Sequence, residues 1–325
     1  MLKPIRCVVA LIGTSAMLFF SSLTMSAPLE ELHLLIPGGQ GGGWDMTAHD
    51  TGTVLQSTGL VKSVTYQNIS GGGGGKAIAH LIETAPRQTN TLMINSTPIV
   101  LRSLYGVFPQ SFHDLTPVAS IISDYGAFVV PVNSELKTWD DVIQAFKNNP
   151  RSIKVAGGSA RGSLDHLIAA AAFQGHGFNP RQVRYIAYDA GGKALESVMS
   201  GETQLLSTGF GEVIHLYKEG KIRILAITAP TPIASAPDVP TLVEYNNPFV
   251  FANWRGFFAA PNTSPAQVEQ WVQTLKSMYK TPEWKKVRDN NGWNDAFLAQ
   301  EDFKLFLLKQ EQQMRDLLRE LDFLR

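Results

Sequence analysis

The stretch IPGGQGGGWDMTAHD, residues 36–50, sets five glycines in the six positions 38–43. The apolar run LHLLIP leads into it, and DMTAHDTGTVLQSTG reads as a helix after it. A strand would therefore hand over to a helix through backbone that carries almost no side chains. A second run, NISGGGGGKAIAH at 68–80, repeats the plan, with SVTYQNI before it and GKAIAHLIET after it. Such a loop presents the first free N–H groups of its helix, and these attract anions together with the positive end of the helix dipole. Glycine lets the backbone approach a ligand closely because no Cβ intervenes. The device recurs at residues 157–163 and 190–193. One such loop is common. Four in one chain suggest helix starts that converge on one negatively charged ligand.

Working outward, strands and helices keep alternating. TLMINS reads as a strand, and LTPVASIISDYGAFVVPV as one or two strands. TWDDVIQAFKNNP carries a helix start signal, with Thr138 as N-cap and Asp141 three positions on. SIKVAGGSARGSLDHLIAAAAFQG, VRYIAYDAGGKALESVMSG, TQLLSTGF with GEVIHLYKEGK, and IRILAIT continue the alternation, which predicts parallel α/β sheets. The C-terminal part reads as helical. In SPAQVEQWVQTLKSMYKTPEW, Ser264 caps, Pro265 takes the first helical position, and Val268, Trp271, Val272, Leu275 and Met278 share a face. AQEDFKLFLLKQEQQMRDLLRELDFL is a second amphipathic helix.

The 325 residues are enough for two domains, and 28 basic residues balance 28 acidic ones. With no block of like charge, neither nucleic acid nor an anionic membrane surface is an implied partner. Lys3 and Arg6 precede the uncharged run at 7–23, and TMSAP follows with small residues. These features predict a signal peptide over 1–26, cut after Ser26, with cleavage after Ala27 as the alternative. The single cysteine, Cys7, lies in that leader, so the exported chain would hold no disulfide and no lipid-anchoring cysteine. The expected location is the periplasm.

Familiar chemistry fails on inspection. Around Lys76 the first glycine of a P-loop is replaced by Ser70, and Ala77 stands where Ser or Thr is needed. Gly39 and Gly41 would need a glycine at 44 for a dinucleotide fingerprint, but the residue is Trp44. Gly157, Gly158 and Ser159 miss the nucleophile elbow because Arg161 takes its last position. The seven histidines are scattered, with no H-E-x-x-H. No metal, no cofactor and no catalytic residue is expected.

With the loops placed, the chain resembles the substrate-binding subunits of tripartite tricarboxylate transporters, also called Bug receptors. PGGQGGGWDMTAHD resembles that family's opening glycine motif, with Asp45 at its acidic position, and NISGGGGGKAIA resembles its second glycine segment. VAGGSARGSLDHLIAA is similar to an S-x-x-G-S-x-x-H-L loop, carried by Ser159, Gly162, Ser163, His166 and Leu167. VRYIAYDAGGKAL, GKIRILAIT, PDVPTLVEY and NWRGFFAAPNTSP resemble later family segments, in order. VASIISDYGAFVV, NWRGFF and EWKKVRDNNG resemble the tricarboxylate-binding branch.

The resemblance implies an α/β, two-domain, periplasmic-binding-protein-like (type II) fold with the ligand in a cleft between lobes. One domain would hold 27–127 and 254–325, the other 128–253. It also implies a monomeric receptor that closes on a small organic carboxylate, citrate-like or a dicarboxylate. The receptor would then deliver its ligand to a membrane permease of one large and one small subunit. A secreted α/β enzyme acting on a carboxylate and a receptor feeding a sensor kinase are the alternatives.

The candidate ligand-binding residues follow from the loops. Gly42, Gly43, Trp44 and Asp45 form the first, with Trp44 either closing the site or covering core, and Asp45 capping the helix and orienting the loop. Asn95, Ser96 and Thr97 end a strand with donors suited to a carboxylate. Ser159, Arg161, Gly162 and Ser163 form the third loop, with Arg161 either pairing an extra carboxylate or facing solvent. Tyr188, Gly191 and Gly192 form a lip, and Phe210 either lines the far end or packs in the core. A helix start contributes up to about 2 kcal/mol to anion binding. Micromolar affinity needs about 8 kcal/mol, so charge-assisted bonds and closure must add the rest.

Overall fold

The computed structural model describes residues 28–106 and 109–324, so the leader expected at 1–26 lies outside the described residues. Among those described, no helix is long and apolar enough to cross a membrane. β1 (Leu29–Ile36) passes through the first glycine loop into α1 (Gly43–Ser57), and β2 (Val61–Asn68) through the second into α2 (Gly75–Glu83). β3 (Thr91–Ser96) runs directly into α3 (Thr97–Tyr105), and β4 (Thr116–Pro131) follows. Next come α4 (Trp139–Asn148), β5 (Lys154–Gly157), α5 (Leu164–Gln174), β6 (Arg184–Ala187), α6 (Gly191–Met199), β7 (Leu205–Gly209), α7 (Phe210–Lys218) and β8 (Ile222–Ile227). β9 (Ala252–Ala259), α8 (Pro265–Tyr279), α9 (Pro282–Asn291), β10 (Asn294–Ala299) and α10 (Gln300–Glu320) complete the chain.

The strands follow the order β2-β1-β3-β9-β4-β7-β5-β6, with β8 and β10 also paired to β4. β4 is the pivot. Its residues up to Tyr125 pair with β9 and β10, whereas Gly126 to Pro131 pair with β7 and β8. One 16-residue strand thus belongs to both halves of the sheet. Parallel pairing holds within β1–β2–β3 and β5–β6–β7. Every pairing of β4, and that of β3 with β9, is antiparallel, so the parallel sheets expected from the alternation are only part of the truth. Parallel neighbours need a crossover helix. β4 and β9 instead carry the chain between halves and run against the strands they meet.

Burial explains the local choices. All six residues of β3 are buried, as a strand covered on both faces requires. The alanine-rich α5 buries ten of its residues and is therefore apolar on every side. The capping box of Thr138 and Asp141 forms at α4, and the Ser264 hydroxyl accepts from the Gln267 N–H at α8. The five residues expected on one face of α8 are all buried. The single helix read over SPAQVEQWVQTLKSMYKTPEW is two, because Pro282 cannot donate to the preceding turn and starts α9 behind a Thr281 cap. Among the large apolar side chains, Phe128 of β4 is fully buried, with its ring 4.5 Å from that of Trp139. Phe128→Ala should lower the unfolding free energy by about 3–5 kcal/mol in urea titrations; a loss below about 1 kcal/mol would show that β4 does not anchor that core.

Candidate functional site

The four small-residue segments come together. A cavity of about 340 Å³ is lined by residues of all four, among them Gly38, Gly42, Gly71, Gly158 and Gly191. The parallel βαβ order puts these loops at the strand ends that a cleft in an open sheet uses. The segments also touch each other across the two halves. The Ser70 hydroxyl donates to the Asp189 carboxylate, and a Cβ on Gly39 would stand 2.7 Å from the Asp189 carbonyl oxygen. Only a bare backbone passes there.

Eight of the fifteen candidates line the cavity: Gly42, Gly43, Trp44, Ser96, Ser159, Ser163, Tyr188 and Gly191. Trp44 lines the cavity and packs on a core cluster, and its indole N–H donates to Ser96 Oγ at 2.9 Å. The other seven stand behind or beside the lining. Asp45 is not the N-cap, a place Gly42 takes, but it does orient the loop. Its carboxylate accepts from the Gly41 N–H at 3.0 Å and from Asn68 Nδ2 at 2.9 Å. Asn95 and Thr97 are buried; Asn95 Oδ1 accepts from the Ser96 N–H, and the Thr97 N–H donates to Asn253. Arg161 is exposed, and Gly162 sits at φ +80° against the Tyr105 ring. Gly192 lies beside the Gln40 carbonyl, and Phe210 is fully buried among core residues such as Val213.

The sequence reading missed a group of buried charges. Asp165, Glu212 and Arg255 line the cavity, and Asp124 lies behind them. Arg255 Nη2 is 3.0 Å from Asp124 Oδ2 and 3.5 Å from Glu212 Oε1, while Nη1 donates to Thr47 Oγ1 at 3.0 Å. Burial pushes Asp124 up to about 6, against the pull of Arg255, and Glu212 beside it adds to the rise. Glu212 is also raised by burial, although Arg255, the Thr208 hydroxyl and the N–H groups of Gly209 and Gly43 favour its charged form. Asp165 reaches about 7 through burial first and the Glu212 charge second. The Ser159 hydroxyl and the Ser159 and Gly158 N–H groups favour its charged form but do not offset the rise. Some loop N–H donors thus already face the protein's own carboxylates.

A hydrolytic arrangement does not assemble around Ser159. Its hydroxyl lies 3.3 Å from the Tyr185 hydroxyl and accepts from the Asp165 N–H at 2.9 Å. The nearby His166 Nδ1 instead accepts from the Gly162 N–H at 3.0 Å, and its ring stacks on Tyr185 and Phe323. Burial holds His166 down to about 4, so it is neutral at pH 7. Among the described residues no group of three or more His, Cys, Asp or Glu side chains is placed to hold a metal ion.

Comparison with known proteins follows this geometry. A model of the tripartite tricarboxylate transporter family receptor matches residues 54–323. The UPF0065 protein in the tcbD-tcbE intergenic region of Pseudomonas sp. (strain P51) is 23% identical over 260 residues, 79% of this chain and 76% of that one. A Rhodopseudomonas palustris protein with adipate aligns at a TM-score of 0.83 and 20% identity, covering 91% of this chain and 99% of that one. MatC from the same organism, with bound malate, aligns at 0.79 and 17% identity, over 89% and 99%. At these identities the likeness establishes the fold, the type II periplasmic-binding-protein architecture.

Asp165 gives a pH test. Its folded-state value lies above its ordinary one, so its stabilising contribution is present below about pH 4 and is lost as pH rises through about 7. Asp165→Asn removes that loss. Relative to the wild type, the variant should gain at least about 1 kcal/mol between pH 5 and pH 8, because a pKa change of one is worth about 1.4 kcal/mol. Denaturation curves at both pH values decide it, and a constant difference between the proteins would contradict the assignment.

Proposed function

The chain belongs to the tripartite tricarboxylate transporter receptor family, and on that premise we propose that it is an exported receptor that captures a small organic carboxylate between two lobes. The lobes are 27–127 with 254–325, and 128–253. Closure brings the glycine segments of both lobes onto the ligand, and a membrane permease with one large and one small subunit takes it over. The receptor works as a monomer in the periplasm, after removal of residues 1–26.

One observation carries the reading: four glycine-bearing segments, far apart in sequence, line a single cavity of about 340 Å³. Ligand contacts are assigned to Gly42, Gly43, Trp44, Ser96, Ser159, Ser163, Tyr188 and Gly191, with Asp45, Asn95 and Thr97 holding them in place. Arg161, Gly162 and Gly192 stand at the rim of the same loops. The cavity carries buried carboxylates and one guanidinium already engaged by two of them, which favours a dicarboxylate over the tricarboxylate that the branch resemblance suggests. An ionised ligand carboxylate must find donors for each oxygen or lose heavily on leaving water. Malate and adipate, bound by two relatives of the same fold, fit that description.

The test is a thermal-shift panel of mono-, di- and tricarboxylates. A ligand at a hundred times its dissociation constant stabilises by about 2.7 kcal/mol, a shift of a few degrees for a chain of this size. A dicarboxylate should give the largest shift. No shift with any acid would overturn the reading, and chemical conversion of the bound acid would favour an enzyme instead.

A further inference from the structure

We propose that Glu212 determines ligand specificity by placing an internal carboxylate at the start of α1, where it repels additional negative charge on a bound acid. The proposal rests on the carboxylate-receptor reading above and deepens it.

Glu212 belongs to α7, in the half of the sheet that holds β5 to β8, yet its carboxylate faces across the seam. The N–H of Gly43, the first residue of α1, the Gly209 N–H and the Thr208 hydroxyl favour its charged form, and a Cβ on Gly43 would come within 2.8 Å of its Oε1. Its Oε1 also approaches Arg255. These are the donors that an entering anion would claim. The side chain keeps 14% of its surface open and lines the cavity, so its charge is presented to whatever occupies the space.

The surrounding glycines give independent support. A Cβ on Gly43 would stand 2.8 Å from Glu212 Oε1, and one on Gly209 would stand 2.9 Å from the same atom. A Cβ on Gly191 would collide with Glu212 Oε2. Gly191 leaves room first for this carboxylate, while Gly43 leaves room first for Arg255 and Gly209 for Asp124, with Glu212 the next neighbour of both. The bare backbone read in the sequence as space for a ligand is therefore also space for an internal acid. Arg255 offers little relief, because Asp124 already holds the same guanidinium nitrogen at 3.0 Å. Asp165, with Glu212 as its largest charged neighbour, adds negative charge on the other wall. Each further ionised group on a ligand meets this field at close range in a site shielded from water, where charges interact more strongly than in solution. A small acid of low charge is accepted, and a trianion is penalised.

The experiment is calorimetric titration of the mature wild type and Glu212→Gln at pH 8 and fixed ionic strength. The probes are butyrate, malate and citrate. The amide keeps an oxygen that can accept from the Gly43 N–H and removes the charge. Glu212→Gln should tighten malate at least tenfold, tighten citrate by a larger factor, and change butyrate least. A gain that ignores ligand charge, or weaker malate binding in the variant, would overturn the proposal. Unliganded melting checks that the variant folds. If it does not, Glu212→Asp, which keeps the charge but draws it back from Gly43, should shift affinities in the same order by smaller factors, and an unchanged order would overturn the proposal. Malate binding by the wild type with no gain in the variant would sink the role of Glu212 alone. An inability of either protein to bind any acid would sink the receptor reading with it.

Discussion

The Arg255 guanidinium is the interaction on which the rest of the structure turns. It leaves β9, bonds Thr47 of α1, and meets Asp124 of β4 and Glu212 of α7. Four elements from both halves of the sheet are thereby tied at one buried point. Removing charges from water is expensive, and breaking a buried pair by deleting one partner typically costs about 3–5 kcal/mol. The cluster is therefore a poor source of net stability but a strong constraint on geometry. It fixes where α1 begins relative to α7, and that relation shapes the cavity.

β4 supplies the other constraint. The strand passes from one half to the other without a break, and β9 returns beside it with Ala252 opposite Tyr125. Asp124 sits at that crossing, two residues before Gly126, where β4 changes partners. The Thr228 hydroxyl accepts from the Gly126 N–H at 2.8 Å and donates to the Phe251 carbonyl, which joins the outgoing and returning chains at the same level. The charged cluster and the crossing strands thus occupy one narrow region, directly behind the loops that line the cavity.

Much of this was legible in the sequence. The glycine loops, their place between strand and helix, the cap at Thr138 and the buried face of α8 are local patterns, and local patterns survive folding. The acids were not legible. Asp165 reads as an ordinary first-turn helix acid, and it does occupy the first turn of α5; its burial against Ser159 and Gly158 comes from the tertiary fold. Arg255 and Asp124 are 131 positions apart, and nothing in their neighbours announces the pair. The one available signal was the density of glycine around 43 and 191, read as room for a ligand alone. β10 escaped notice because NDAFLA is short and half-buried, without a clear alternation.

The most direct test of the account is a crystal structure of the mature protein grown with malate. The account predicts the acid in the cavity bounded by residues 38–44, 70–74, 158–163 and 188–191, with one carboxylate held by loop N–H groups from both halves. Malate bound only outside that cavity, or held by one half alone, would contradict it.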